Sequence, residues 1–142
     1  MKIMIALDGS DAAAAALAPA ATLARKAGAE LLLVNAFSPF VEMGHASGSH
    51  DERLAHVTEE RRAYLEKLAD TAPGVSAQVL VAARRKTEDP DECIARVAGE
   101  QGADMLVVAS KRASGVGGLV LGSTAQGLLR MSPCPVLVVR PA

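Results

Sequence analysis

The sequence predicts an α/β fold in which a five-stranded parallel sheet is sandwiched by four helices. Three observations carry that reading. Five short aliphatic runs recur along the 142 residues, and all but the third lack clean polar alternation, as strands covered on both faces do. Each interval between runs holds helical periodicity or helix-capping residues. The resulting order, β-α-β-α-β-α-β-α-β, calls for right-handed crossovers with helices on both faces of a parallel sheet.

The elements follow in turn. Lys2–Leu7 (KIMIAL) is the first strand. The alanine-rich stretch Asp11–Lys26 is the first helix, with Asp11 as its cap and Gly28 suited to its carboxyl end. Glu30–Ala36 (ELLLVNA) is the second strand, and the Gly-, Ser- and Pro-rich stretch Ser38–Gly48 is expected to be a mobile loop. Ser49, His50, Asp51 and Glu52 form a capping box, after which Leu54, Val57, Tyr64, Leu65 and Leu68 recur at helical spacing. Val75–Ala82 is the third strand. Asp89 then caps a helix with Pro90 in its first position and acids in its first turn, burying Ile94, Val97 and Ala98 before Gly102 stops it. Asp104–Ala109 is the fourth strand. A last helix starts at Ser123 or Thr124 and ends by Arg130, before Pro133, and Pro135–Arg140 is the fifth strand.

Composition narrows the function. Alanine supplies 28 residues, while the only aromatic residues are Phe37, Phe40 and Tyr64, so the core is built from small and branched aliphatic side chains. Fifteen basic against sixteen acidic residues give a net charge of −1, which argues against a nucleic-acid partner bound through a phosphate footprint. The shortage of aromatic rings removes base-stacking platforms as well. No run is long enough to span a bilayer, and Asp8 cuts the opening apolar run short of signal-peptide length. Cys93 and Cys134 are lone thiols without metal-ligand spacing. The expectation is a single domain over residues 1–142 in the cytoplasm, with no membrane or nucleic-acid partner.

Chemistry in such a sheet collects beyond the carboxyl ends of the strands, where the strand order reverses. The segment Ala109–Ser123 (ASKRASGVGGLVLGS) leaves a buried strand, carries glycines at 115, 117, 118 and 122, and opens a helix. Glycines let backbone approach a ligand, and a helix start offers free N–H groups and a positive dipole end, so phosphate is its natural guest. Lys111 and Arg112 add charge there. A flexible connector is the competing reading. The segment is neither a Gly-Lys-Ser/Thr phosphate loop, since no Lys precedes Ser123, nor a dinucleotide fingerprint, which belongs after the first strand. At the end of that first strand stands Asp8, placed to meet a phosphate-bound Mg²⁺ or to hold the Asp8-Gly9 turn. His45, His50 and His56 match no tight metal pattern and read as solvated, and no nucleophile-elbow motif supports a Ser-His-Asp triad. Arg84, Arg85 and Lys86, followed by Glu88 and Asp89, read as a solvated mixed-charge loop.

The opening IALDGSDAAAAAL, the stretches ELLLVNAF and GADMLVVAS, and above all the close LGSTAQGLLRMSPCPVLVVRP resemble the universal stress protein family from end to end, apart from the Ser38–Gly48 loop. The resemblance implies a Rossmann-like fold of the adenine nucleotide alpha hydrolase type, usually dimeric, with one subset binding ATP or AMP. That subset has Gly, two residues, Gly, nine residues, then Gly-Ser or Gly-Thr. Here the spacing up to Gly122-Ser123 is kept, but Ala109 and Arg112 stand at the two earlier glycine positions. Arg112 is the larger departure, because its side chain could fill the phosphate space or grip phosphate oxygens in a bidentate way. If the turn there required positive φ, a non-Gly residue would also cost on the order of 1 kcal/mol.

By the same resemblance Asp8 would contact ribose or a phosphate-bound metal, the backbone near Ala36 would face the adenine, and Ser123 with Thr124 would hold phosphate from the helix start; Ala6, Ala109, Lys111, Arg112 and Gly122 complete the expected nucleotide-binding set. The function implied is an adenine-nucleotide-binding regulatory module, taking ATP or AMP with Mg²⁺ at Asp8. No general base is evident, so ATP hydrolysis would be slow at most. A dimeric interaction protein without nucleotide is the alternative, supported by Arg112. An enzyme on the same fold, such as a nucleotidyl transferase, would want histidines at the first or last strand end, where this chain has none. The aliphatic strand Pro135–Arg140 reads as a sheet edge open to a second copy, hence a homodimer.

Overall fold

In the computed structural model the described residues are 1–40, 48–72, 74–112 and 119–140. The elements in chain order are β1 (Lys2–Ala6), α1 (Asp11–Ala27), β2 (Glu30–Phe37), α2 (His50–Ala69), β3 (Ala77–Ala83), α3 (Pro90–Glu100), β4 (Met105–Ala109), β5 (Lys111–Arg112), β6 (Leu119–Val120), α4 (Ser123–Met131) and β7 (Val136–Val139). The main sheet has the order β3-β2-β1-β4-β7, every neighbouring pair parallel. This is the α/β sandwich expected from the sequence.

Strand alternation divides the core in two. Ile3, Ile5, Leu31, Leu33 and Val107 face α1 and α2, while Met4, Leu32, Val34, Leu106 and Val108 face α3 and α4. Alanine does the packing on α1, whose buried stripe is Ala13, Ala16, Leu17, Ala20, Ala21 and Ala24. Side chains this small let the helix axis approach the sheet closely, and Leu17 and Leu23 fill what remains. The helix ends as the sequence requires. Gly28 is left-handed at φ +63°, and Ala29 N–H reaches back to the Ala24 carbonyl at 2.8 Å.

Four details differ from the sequence reading. Ser10, rather than Asp11, caps α1, its hydroxyl accepting from Ala13 N–H at 3.1 Å. Asp89 stands at the N-cap position of α3, but its side chain makes no capping hydrogen bond. The third strand opens at Ala77 rather than Val75. The segment read as a Gly-rich loop contains a short antiparallel ribbon, in which Lys111 pairs with Val120 and Arg112 with Leu119. Of the loop Ser38–Gly48, residues 41–47, His45 among them, lie outside the described residues, as do residues 113–118 with Gly115, Gly117 and Gly118. Among the described residues no helix is long and apolar enough to cross a membrane.

Candidate functional site

The strand order reverses between β1 and β4, and a cavity of about 320 Å³ opens at their carboxyl ends, lined also by the starts of α1, α3 and α4. That size falls within the range of small-molecule sites, roughly 300–1,000 Å³. Its floor is made by alanines at the carboxyl ends of β1 and β4, Ala6 and Ala109, and by Ala36, one residue before the end of β2, together with Val34 and Val108. Methyl groups at the strand tips leave the space that larger residues would fill. Pro90 and Ile94 from α3 form an apolar wall.

Polar groups line the cavity as well. Asp8 leaves β1 in a turn whose next residue, Gly9, has φ +90°, a conformation that strains any residue with a Cβ. The Asp8 Oδ1 accepts from Ser10 N–H at 2.9 Å, fixing the carboxylate at the cavity rim. Asp8 therefore both orders the turn and lines the cavity. The carboxylates that converge elsewhere, Asp89, Asp91 and Glu92, lie at the start of α3, and Asp8 is not among them. A cation at Asp8 would take most of its ligands from phosphate and water, as Mg²⁺ commonly does.

The start of α4 lines the same cavity through Gly122, Ser123, Thr124 and Ala125. Ser10 and Ser49 cap α1 and α2, which also carry acids in their first turns, and α3 carries Asp91 and Glu92. Helix α4 has neither a side-chain cap nor an acid. Its first N–H groups and the positive end of its dipole are thus uncompensated by its own sequence. Lys111, instead of an acid, lies against this helix start: a Cβ on Gly122 would stand 3.0 Å from Lys111 Cε and 3.6 Å from Nζ.

Eight of the nine expected site residues, Ala6, Asp8, Ala36, Ala109, Lys111, Gly122, Ser123 and Thr124, surround this one cavity. The ninth, Arg112, has its backbone in β5, and no described non-Gly residue has positive φ, so the backbone cost considered for it does not arise. Its side chain lies outside the described residues. Sequence reasoning missed Ser10, Pro90, Ile94 and Ser110, which also line the cavity. Ser110 is wholly buried and tied to β7, its N–H donating to the Val139 carbonyl at 2.9 Å. The signal for Pro90 was its place at the start of the helix that follows β3.

The remaining candidates do not join the site. His50 and His56 are exposed on α2, where His56 Nε2 meets Glu60 Oε1 at 3.0 Å. The loop read as solvated is ordered by Glu88, whose carboxylate takes hydrogen bonds from Arg96 at 2.8 and 3.0 Å and from the Arg85 amide at 3.0 Å. Cys93 is buried and free, and burial pushes its thiol up to about 11. Such a thiol is unreactive at neutral pH.

A profile described as the Universal stress protein family matches residues 1–140. Universal stress protein YxiE of Bacillus subtilis is 33% identical over 149 aligned positions covering 98% of each chain. Among solved structures, a universal stress protein from Burkholderia pseudomallei is 32% identical with a TM-score of 0.71, covering 99% of this chain and 96% of its own. The universal stress protein of Archaeoglobus fulgidus in complex with dAMP has a TM-score of 0.68 at 22% identity, covering 97% of this chain and 96% of that one, and so shares the fold. The family profile over residues 1–140 and the near full-length similarity to curated relatives agree: this chain belongs to the universal stress protein family.

Proposed function

We propose that this chain is an adenine-nucleotide-binding regulatory module, working in the cytoplasm as one domain over residues 1–142. The observation that carries this reading is the start of α4, uncapped and free of acids, facing a cavity of about 320 Å³ with Lys111 beside it. The phosphates of ATP or AMP sit on the N–H groups of Ser123 and Thr124, with Lys111 and Arg112 supplying cationic contacts. The base lies on the small apolar floor of Ala6, Ala36 and Ala109, against Ile94. Asp8 receives the ribose or a phosphate-bound Mg²⁺. The dAMP complex of the Archaeoglobus relative supports an adenine nucleotide as the ligand class.

A homodimer through the C-terminal strand Pro135–Arg140 belongs to the same proposal. β7 is the last strand on its side of the sheet, and Leu137 on it is 37% exposed. A second copy adding its own β7 would pair the open edge and cover that side chain.

Thermal unfolding with increasing ATP and Mg²⁺ tests the nucleotide reading. At 100 times the dissociation constant, bound ligand adds about 2.7 kcal/mol of stability. An unchanged transition at millimolar ATP and AMP would refute it and leave the dimeric interaction protein as the function.

A further inference from the structure

Pro90 and Ile94 at the start of α3 wall the cavity, yet that start is not fixed by a cap of its own: the Asp89 side chain makes no capping hydrogen bond. What holds it lies outside the cavity. Residues 84–89 join β3 to α3, and Arg96, in the second turn of the helix, reaches back onto them. Its Nε donates to Glu88 Oε2 at 2.8 Å and its Nη2 to Glu88 Oε1 at 3.0 Å, a two-pronged pair, and Nη2 also lies 3.4 Å from the Ala83 carbonyl at the end of β3.

Glu88 is braced by its own loop as well. Its carboxylate accepts from Arg85 N–H at 3.0 Å, its N–H donates to the Arg85 carbonyl at 3.1 Å, and its carbonyl accepts from Arg84 Nε at 3.1 Å. Arg84 N–H donates in turn to the Phe37 carbonyl at 2.8 Å, at the end of β2 and one residue from Ala36 on the cavity floor. Hydrogen bonds thus link the strand under the floor to the helix of the wall through Phe37, Arg84, Glu88 and Arg96. The Glu88 and Arg96 side chains are only 9% and 22% exposed, so the pair is shielded from the water and salt that make surface ion pairs weak. Neither residue lines the cavity.

We propose that Glu88 and Arg96 are positioning residues for ligand binding, their ion pair setting the distance between the Pro90–Ile94 wall and the alanine floor so that the cavity fits a flat base. Contact with a base depends steeply on that distance, because a gap of about 0.5–1 Å forfeits roughly a quarter to a half of the attraction between each pair of atoms. The phosphate contacts come from α4 and Lys111, so loss of the pair falls on the base alone. This role in binding rests on the nucleotide reading above, whereas the hold on the wall does not.

The test reads the wall and the ligand separately. The chain has three isoleucines, Ile3 and Ile5 in the buried core of β1 and Ile94 in the wall, so a spectrum of labelled isoleucine methyl groups has three signals. Glu88→Gln keeps the side-chain shape without the charge, and Arg96→Lys keeps the charge without the fork. In both variants, without nucleotide, the Ile94 signal should shift or broaden while those of Ile3 and Ile5 stay. Affinity for AMP and for adenosine should fall about fivefold in both, and affinity for tripolyphosphate should not change. An unmoved Ile94 signal would overturn the proposal, as would equal movement of all three signals, which marks a general loosening. Wild-type AMP affinity in the variants, or an equal loss for AMP and tripolyphosphate, would overturn the role in binding the base. If the wild type binds neither AMP nor adenosine, the nucleotide reading fails, and the methyl spectrum still decides whether the pair holds the wall.

Discussion

The side chain of Lys111 lies across Gly122, so close that a Cβ at residue 122 would stand 3.0 Å from Lys111 Cε. Gly122 has φ −68°, which any residue can adopt, so glycine is needed here for closeness rather than for backbone freedom. Replacing Lys111 by Met keeps the apolar stem and removes the charge. ATP affinity should fall about tenfold, equivalent to about 1.4 kcal/mol, with little change in unfolding stability because the residue is exposed. Calorimetric titration at two salt concentrations checks this, and the variant should show the weaker salt dependence.

Asp8→Asn separates the two duties of that side chain. Asparagine can still accept from Ser10 N–H and order the turn, but it carries no charge for a cation. The variant should fold with near wild-type stability, and Mg²⁺ should cease to strengthen ATP binding. Titrations with and without Mg²⁺ read the difference directly.

Glu88 should give the protein an acid-sensitive joint. Hydrogen bonds from Arg96 hold its carboxyl down at about 2, against an ordinary value of 4.5. A depressed folded-state pKa contributes stability above the unfolded value, and that stability is lost as pH falls from about 5 toward 2. Glu88→Gln should cost about 1–3 kcal/mol at neutral pH and flatten the acid limb of the stability profile. Urea unfolding of both proteins at pH 7 and pH 3 should show their stabilities converging at the lower pH.

Helix α3 packs on α4 through a glycine. A Cβ on Gly127 would overlap the Asp91 carboxylate, its Oδ2 and Cγ included. Gly127→Ala should therefore destabilise by about 1–3 kcal/mol despite the better helix propensity of alanine. Asp91→Ala in the same chain should recover most of that loss, which a double-mutant cycle in urea measures.

The open edge predicts an oligomeric state. Leu137→Arg places a charge on the exposed side of β7 and should shift the protein toward monomer in light scattering, leaving far-ultraviolet dichroism unchanged. A wild-type chain that is already monomeric would refute the dimer.

Local chemistry in the chain determined the fold class and most element ends. Aliphatic runs too uniform for a half-exposed strand required cover on both faces, and Gly28 and Pro90 marked helix boundaries by backbone constraints that act at the residue itself. The same locality explains why Asp8, Lys111 and Ser123 could be nominated: each follows a strand or opens a helix, and the fold brings such points to one end of the sheet. Tertiary structure alone decided what depends on residues distant in sequence. The contact of Asp91 with Gly127 and the bond from Asn35 to Leu7 are set by packing across elements. Their side chains look ordinary in sequence because the groups that give them meaning arrive only when the layers close.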